Sequence, residues 1–328
     1  MKISIGLFSV LATSLLAIPL STHGSVSQER YPSRPVKMIV PYPAGGPTDV
    51  PARLVAAKLS TALGGNFYIE NVPGAAGSLG AHAVGTAAAD GYTLLWMNQD
   101  FVVQPLIKQH IPYDASHGFA PISLVATAPE AIMVNPSVPA KTIAELIALI
   151  KANPGKYSYA TPGFGTTPHL AGERLFNLTY HLDITQVPFQ GGAPAITSTM
   201  AGHTQILLIT IGSVAPNLKD GSLRAIAVES PKRWPAFPNV PTLAESGLVD
   251  YDAEFVLGLM APAGTPKSIV DLVSSETAKA LADQDTKDRL DALGLQPIGG
   301  GPAEFAAKLK DVSASWAKVV ESAGLKTD

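Results

Sequence analysis

The stretch from Val36 to Asp49 narrows most sharply what this chain can fold into. Val36-Lys37-Met38-Ile39-Val40 is apolar and β-branched, the pattern of a buried strand. Pro41, Pro43 and Pro47 interrupt regular structure, and Gly45-Gly46 lets a backbone come close to a ligand. Val50, Leu54, Val55, Leu59 and Leu63 then recur at helical spacing, with Thr48 or Asp49 placed to cap that helix. A helix that opens behind a glycine loop presents unpaired N–H groups and the positive end of its dipole, which suits an anion. The plan recurs. Tyr157–Ala160, the loop Thr161–His169 and a helix from Pro168 to Leu178 repeat it, and Thr185–Phe189 running into Gln190–Pro194 is a weaker third copy.

Strands alternating with helical patterns predict an α/β fold with mostly parallel sheets. Further strands are expected at Phe67–Asn71, Tyr92–Asn98, Ile122–Ala126, Ala131–Val134, Gln205–Ile211, Leu223–Val228 and Glu254–Ala261. Capping boxes begin at Thr142 and Thr242, and Ser78 is placed to cap a small-residue helix. Met1-Lys2 followed by apolar Ile3–Leu20 reads as a secretory signal peptide over residues 1–24, cleaved between Ser21 and Ser27. The remaining chain, about 300 residues, is at the size where one core divides into two. The expected division is a first lobe from 31–126 plus 253–328 and a second from 127–252, joined by two crossover strands. A net charge of −3 with 15% charged residues gives no electrostatic footing for nucleic acid. The chain has no cysteine, and its histidines show no metal-ligand spacing, so neither cofactor nor metal is expected.

Tyr31-Pro32-Ser33-Arg34-Pro35 followed by Ile39–Asp49 resembles the opening of the Bug receptors, the extracytoplasmic solute-binding proteins of tripartite tricarboxylate transporters. The likeness continues through Glu70–Gly77, Asp90–Leu95, Pro112-Tyr113-Asp114, Asn153–Lys156, His169–Glu173, Gly191–Ala195, Gly221–Ala225, Pro238–Thr242 and Gly258–Pro266. It implies a periplasmic-binding-protein-like fold of two α/β lobes that close on a small organic carboxylate. It also implies a periplasmic, non-enzymatic receptor that hands its ligand to membrane transporter subunits; a monomer is expected. In that family the carboxylate sits against the loops that correspond here to Pro43–Thr48 and Thr161–His169. The loop from Gln190 and the strand tip Thr210–Ser213 complete the cleft.

The candidate ligand-binding set is therefore Tyr42, Pro43, Ala44, Gly45, Gly46, Thr48, Asn98, Phe164, Gly165, Thr166, Thr167, His169, Gln190, Gly191, Gly192, Thr210 and Ser213. None is Lys or Arg, so amides, hydroxyls and His169 would hold the anion. Asp49 is expected to cap its helix rather than touch ligand. Where many relatives carry small residues this chain has Trp96-Met97-Asn98, and Phe164 and Ile209 stand where relatives often carry a small polar residue and an Asp. If these face the cleft, an aromatic or otherwise hydrophobic carboxylate is favoured. The rival reading is an exported serine hydrolase using Ser78 or Ser213 with His169.

Overall fold

Apolar runs separated by turn residues divide Tyr31–Asp328 into ten strands and ten α-helices among the described residues. The structure is a computed structural model and describes residues 1–2, 31–249, 251 and 253–327. The signal-peptide expectation lies outside the described residues. In chain order, β1 (Val36–Val40) leads into α1 (Asp49–Leu63), β2 (Phe67–Asn71), α2 (Ser78–Gly85), β3 (Thr93–Asn98), α3 (Asp100–Ile107) and β4 (Phe119–Val134). Then come α4 (Ile143–Lys151), β5 (Ser158–Thr161), α5 (Thr167–Gly172), β6 (Thr185–Pro188), α6 (Gly192–Met200), β7 (Ile206–Thr210), α7 (Ala215–Asp220) and β8 (Arg224–Val228). The chain closes with β9 (Glu254–Pro262), α8 (Lys267–Ala282), α9 (Gln284–Ala292), β10 (Gln296–Gly300) and α10 (Pro302–Ser322).

The strands form a continuous hydrogen-bonded path, β2-β1-β3-β9-β4-β7-β5-β6, with β8 and β10 also pairing with β4. Pairing is parallel at both ends, β2-β1-β3 and β7-β5-β6. It is antiparallel where β9 and β4 join those ends. Alternation places Leu94 and Trp96 in the core on one sheet face and Leu95 and Met97 in the core on the other. The periodicity around Pro129 predicts two short strands, but β4 is a single strand of 16 residues. Its first part, through Pro129, pairs with β9, and Glu130–Val134 pairs with β7 and β8. The amide that proline lacks thus falls where the strand changes partners, so no ladder bond is lost there.

At that changeover three segments cross. Glu130 N donates to Ala253 O at 2.9 Å, Glu229 N to Glu130 O at 2.8 Å, and Ala253 N to Glu229 O at 3.0 Å.

Other local expectations are refined by packing. In α1 the buried face is Ala52, Val55, Ala56, Leu59 and Leu63, while Val50 is exposed, because small alanines let the helix lie close on the sheet. Ser78 is the first residue of α2 and does not cap it; left-handed Gly77 precedes it at the cap position. Thr142 accepts from Glu145 N at 3.2 Å, so the first capping box forms at α4. The second closes reciprocally between Thr242 and Glu245 but opens only a short 3-10 turn, Ala244–Ser246.

Ala75 and Ala76 carry φ of +49° and +52° between Gly74 and Gly77, a left-handed turn that a Cβ disfavours. Replacing Ala76 with Gly is expected to raise unfolding stability by about 0.5–1 kcal/mol, read as a higher denaturant midpoint at unchanged slope. An unchanged or lower midpoint would show that the turn is not strained.

Candidate functional site

The loop after β1 is fixed from its own helix. Asp49, buried at the start of α1, accepts from Gly45 N at 2.9 Å, from Arg53 Nε at 2.8 Å and from Asn71 Nδ2 at 2.8 Å. Asn71, at the tip of neighbouring β2, also donates to Tyr42 O at 3.0 Å. Burial alone would raise the Asp49 carboxyl, but the hydrogen bonds from Arg53, Gly45 and Asn71 outweigh it and hold the group below its ordinary value. The expected capping role is thereby corrected. The carboxylate ties the glycine loop rather than the helix amides, and N-cap Thr48 is itself buried with no side-chain cap bond. Among the described residues, the amides of Ala44, Gly46 and Thr48 make no hydrogen bond to the protein. Pro43, Ala44 and Gly45 are exposed.

The loop after β6 meets this one. Gly191, at φ +112°, donates its amide to Pro162 O at 2.9 Å, and a Cβ built on it would lie 3.8 Å from Pro43 Cγ. Gly192 opens α6, and a Cβ there would come within 2.7 Å of Ile209 Cδ1. Ile209 is therefore packed beneath the loop. The amides of Gly192 and Ala193 make no hydrogen bond among the described residues, and Gln190 beside them is exposed. The loops that open α1 and α6 thus meet at Pro43 and Gly191.

The loop after β5 behaves differently. Thr167, fully buried, donates its amide to Asp100 Oδ1 at 3.0 Å and its hydroxyl to the same oxygen at 3.1 Å. Thr166 donates to Gly163 O at 2.8 Å. Gly165 is left-handed, with its carbonyl accepting from Gln104 Nε2 at 2.7 Å. His169 is buried with both ring nitrogens engaged: Nδ1 accepts from Gly165 N at 3.1 Å, and Nε2 lies 3.5 Å from Glu173 Oε1. Because a backbone N–H donates to Nδ1, the proton resides on Nε2 and faces Glu173. His169 thus braces the Gly165 turn, and Thr167 is a partner of Asp100. Phe164 remains 44% exposed, its ring 4.7 Å from that of His169.

The sequence pattern does not single out Asp100 or Gln104; α3 lacks a clear apolar stripe. The available signal is the polar run Asn98-Gln99-Asp100 at the C-terminal tip of a strand, where α/β sheets place binding groups. Asn98 Oδ1 accepts from Tyr42 Oη at 2.5 Å and from Asp100 N at 2.9 Å. Tyr42 Oη also lies 3.4 Å from Asp100 Oδ2. Burial pushes the Asp100 carboxyl up to about 6, with the Thr167, Asn98 and Tyr42 hydrogen bonds opposing it. Tyr42 Oη and Asn98 Oδ1 are therefore engaged within the protein.

Thr210 is buried and donates to Glu130 Oε2 at 3.2 Å. Burial, the Glu229 charge and the Asp100 charge all raise the Glu130 carboxyl. Ser213 lies in the turn after β7, half-buried. Neither it nor Ser78 reaches His169, whose ring nitrogens are held by Gly165 and Glu173. The serine–histidine pair that the hydrolase reading needs is not assembled. Trp96 and Met97 are core residues, so they repack the sheet faces.

A family model described as the tripartite tricarboxylate transporter family receptor matches residues 51–325. The chain belongs to this family. BugT of Bordetella pertussis is 34% identical over 324 residues, covering 98% of this chain and 97% of its own length. A structure described as the periplasmic binding protein BugD superposes with a TM-score of 0.85 at 33% identity, covering 91% of this chain and all of the other. An R. palustris protein solved with adipate gives a TM-score of 0.85 at 32% identity, covering 90% and 98% of the two chains. The receptor therefore has the periplasmic-binding-protein fold, and its family consists of solute-binding receptors rather than enzymes. No helix among the described residues is long and apolar enough to cross a membrane.

Proposed function

We propose that the receptor is exported to the periplasm, captures a small organic carboxylate in the gap between the loops after β1 and β6, and delivers it to the membrane subunits of a tripartite tricarboxylate-type transporter. The observation that supports this reading is the approach of Gly191 to Pro43, which brings together two loops whose helix-opening amides at Ala44, Gly46, Thr48, Gly192 and Ala193 make no hydrogen bond among the described residues. The lobes would be 31–126 plus 253–328 and 127–252, moving about the three-segment crossing at Glu130, Glu229 and Ala253. Each helix opening contributes about 0.3–1 kcal/mol when exposed and up to ~2 when partly buried. Hydrogen bonds to the charged ligand add roughly 1.5–3 kcal/mol each. Four such bonds and two helix ends sum to roughly 7–16 kcal/mol, and the upper part of that range meets the ~8 kcal/mol of a micromolar receptor after an association cost of about 4 kcal/mol. The binding residues in this reading are Pro43, Ala44, Gly45, Gly46, Gln190, Gly191 and Gly192, with Phe164 as an apolar wall suited to a hydrophobic or aromatic tail.

Gly46 has room for a side chain, its nearest neighbour being Pro43 O at 3.5 Å from an added Cβ. Gly46→Val is expected to leave the melting temperature within about 2 °C while abolishing calorimetric binding of carboxylates, since its methyls would stand where the anion lies. Undiminished binding by a folded Gly46→Val protein would remove this loop from the site.

A further inference from the structure

We propose that Asp100 is a specificity-determining residue that restricts the receptor to ligands bearing one carboxylate rather than two. This inference rests on the carboxylate-receptor reading above and names the subclass of ligand. Asp100 lies between the loops after β1 and β5, touching Tyr42 at the root of one and Thr167 at the end of the other. It is 3% exposed. Its donors are the Thr167 amide and hydroxyl, both on Oδ1, while Oδ2 has only the distant Tyr42 hydroxyl. Asp100 therefore already consumes the Thr167 donors at the helix opening after β5.

A second buried acid, held neutral by its burial, stands nearby and supplies no compensating positive charge. Glu130 is 1% exposed, bonds Thr210 through Oε2, and leaves Oε1 without a partner. The titratable groups that face Asp100 are Tyr42 from the loop after β1, Tyr113 from the segment before β4 and Glu130 from β4; burial raises all three, so they stay neutral and none offsets the Asp100 charge. On α5, His169 is turned away toward Gly165 and Glu173. No Lys or Arg stands in the loops Pro43–Thr48, Thr161–His169 or Gln190–Pro194 to compensate. A ligand anchored by one carboxylate at the α1 and α6 openings would bring a second toward ionised Asp100, in surroundings where like charges repel more strongly than in water. A neutral tail, passing the exposed face of Phe164, meets no such opposition.

The test compares matched pairs by calorimetry at about pH 8, where Asp100, with its value near 6, is ionised: hexanoate against adipate, and benzoate against terephthalate. The wild-type receptor is expected to bind the monoacid at least tenfold more tightly in one or both pairs. Asp100→Asn keeps an oxygen for Thr167 but removes the charge, and should narrow that ratio at least fivefold. Asp100→Ser serves the same purpose if Asp100→Asn does not fold. Diacids that bind the wild type as tightly as their monoacids overturn the inference while leaving the receptor reading intact. So does a ratio unchanged in a folded, uncharged variant. Silence towards all four acids overturns both.

Discussion

Gly212→Ala is expected to destabilise the receptor by about 3 kcal/mol, the upper end for forced overpacking. A Cβ on Gly212 would drive into the carbonyl of Leu293, and one on Gly294 would lie 2.7 Å from Gly212 Cα. The turn after β7 and the turn after α9 therefore meet backbone to backbone, with no flexible side chain to give way. Trp234 Nε1 donates to Gly294 O at 3.0 Å and pins the same turn from a third segment. Gly301→Ala is the control: it has no neighbour within 4 Å of an added Cβ and extended backbone, so its cost should be only the weaker N-cap of α10, about 0.5–1 kcal/mol. Equilibrium denaturation of the two variants decides the matter. Equal midpoints would mean that the turns slide apart at little cost.

Asp49→Ala is expected to cost about 2–3 kcal/mol and at least tenfold in carboxylate affinity. The buried carboxylate holds Gly45, Arg53 and Asn71 together, and charge-assisted hydrogen bonds of this kind are worth roughly 1.5–3 kcal/mol each before compensation. Arg53 is half exposed and regains water in the variant, which keeps the loss below the simple sum. The affinity loss follows from releasing Gly45, because the loop must then be ordered by the ligand itself. The sign of the pH dependence is fixed by the depressed carboxyl. Its contribution is fully present above the ordinary value of 3.8 and is lost as pH falls toward the lower folded-state value, so the gap between wild type and variant should close only in acid. A gap that closes between pH 5 and 7 would show that another group carries the effect.

How much of this was legible beforehand differs by level. The strands β1, β2, β3, β7, β8 and β9 lie where apolar, β-branched runs place them, because a buried strand needs little beyond such a run. β10 was not legible: Gln296-Pro297-Ile298-Gly299-Gly300 has neither alternation nor an apolar run, and it is a strand because β4 offers it an edge. The continuity of β4 through Pro129 was hidden for the complementary reason. A proline reads as a break until the change of partner around it is seen.

Within the site, the glycine loops announced themselves through residues whose conformational needs are local. What each loop does was not local. Asp49 and Asp100 are both acids at the start of a helix, yet one ties its own loop while the other accepts from a helix sixty-seven positions away in sequence. By itself the sequence determined the secondary elements with strong periodicity, the glycine turns and the family. Only the tertiary structure decided which helix openings stay unpaired and which are filled from within. Hydrogen-bond partners of buried polar groups are chosen by proximity in space, and periodicity along the chain carries no record of it.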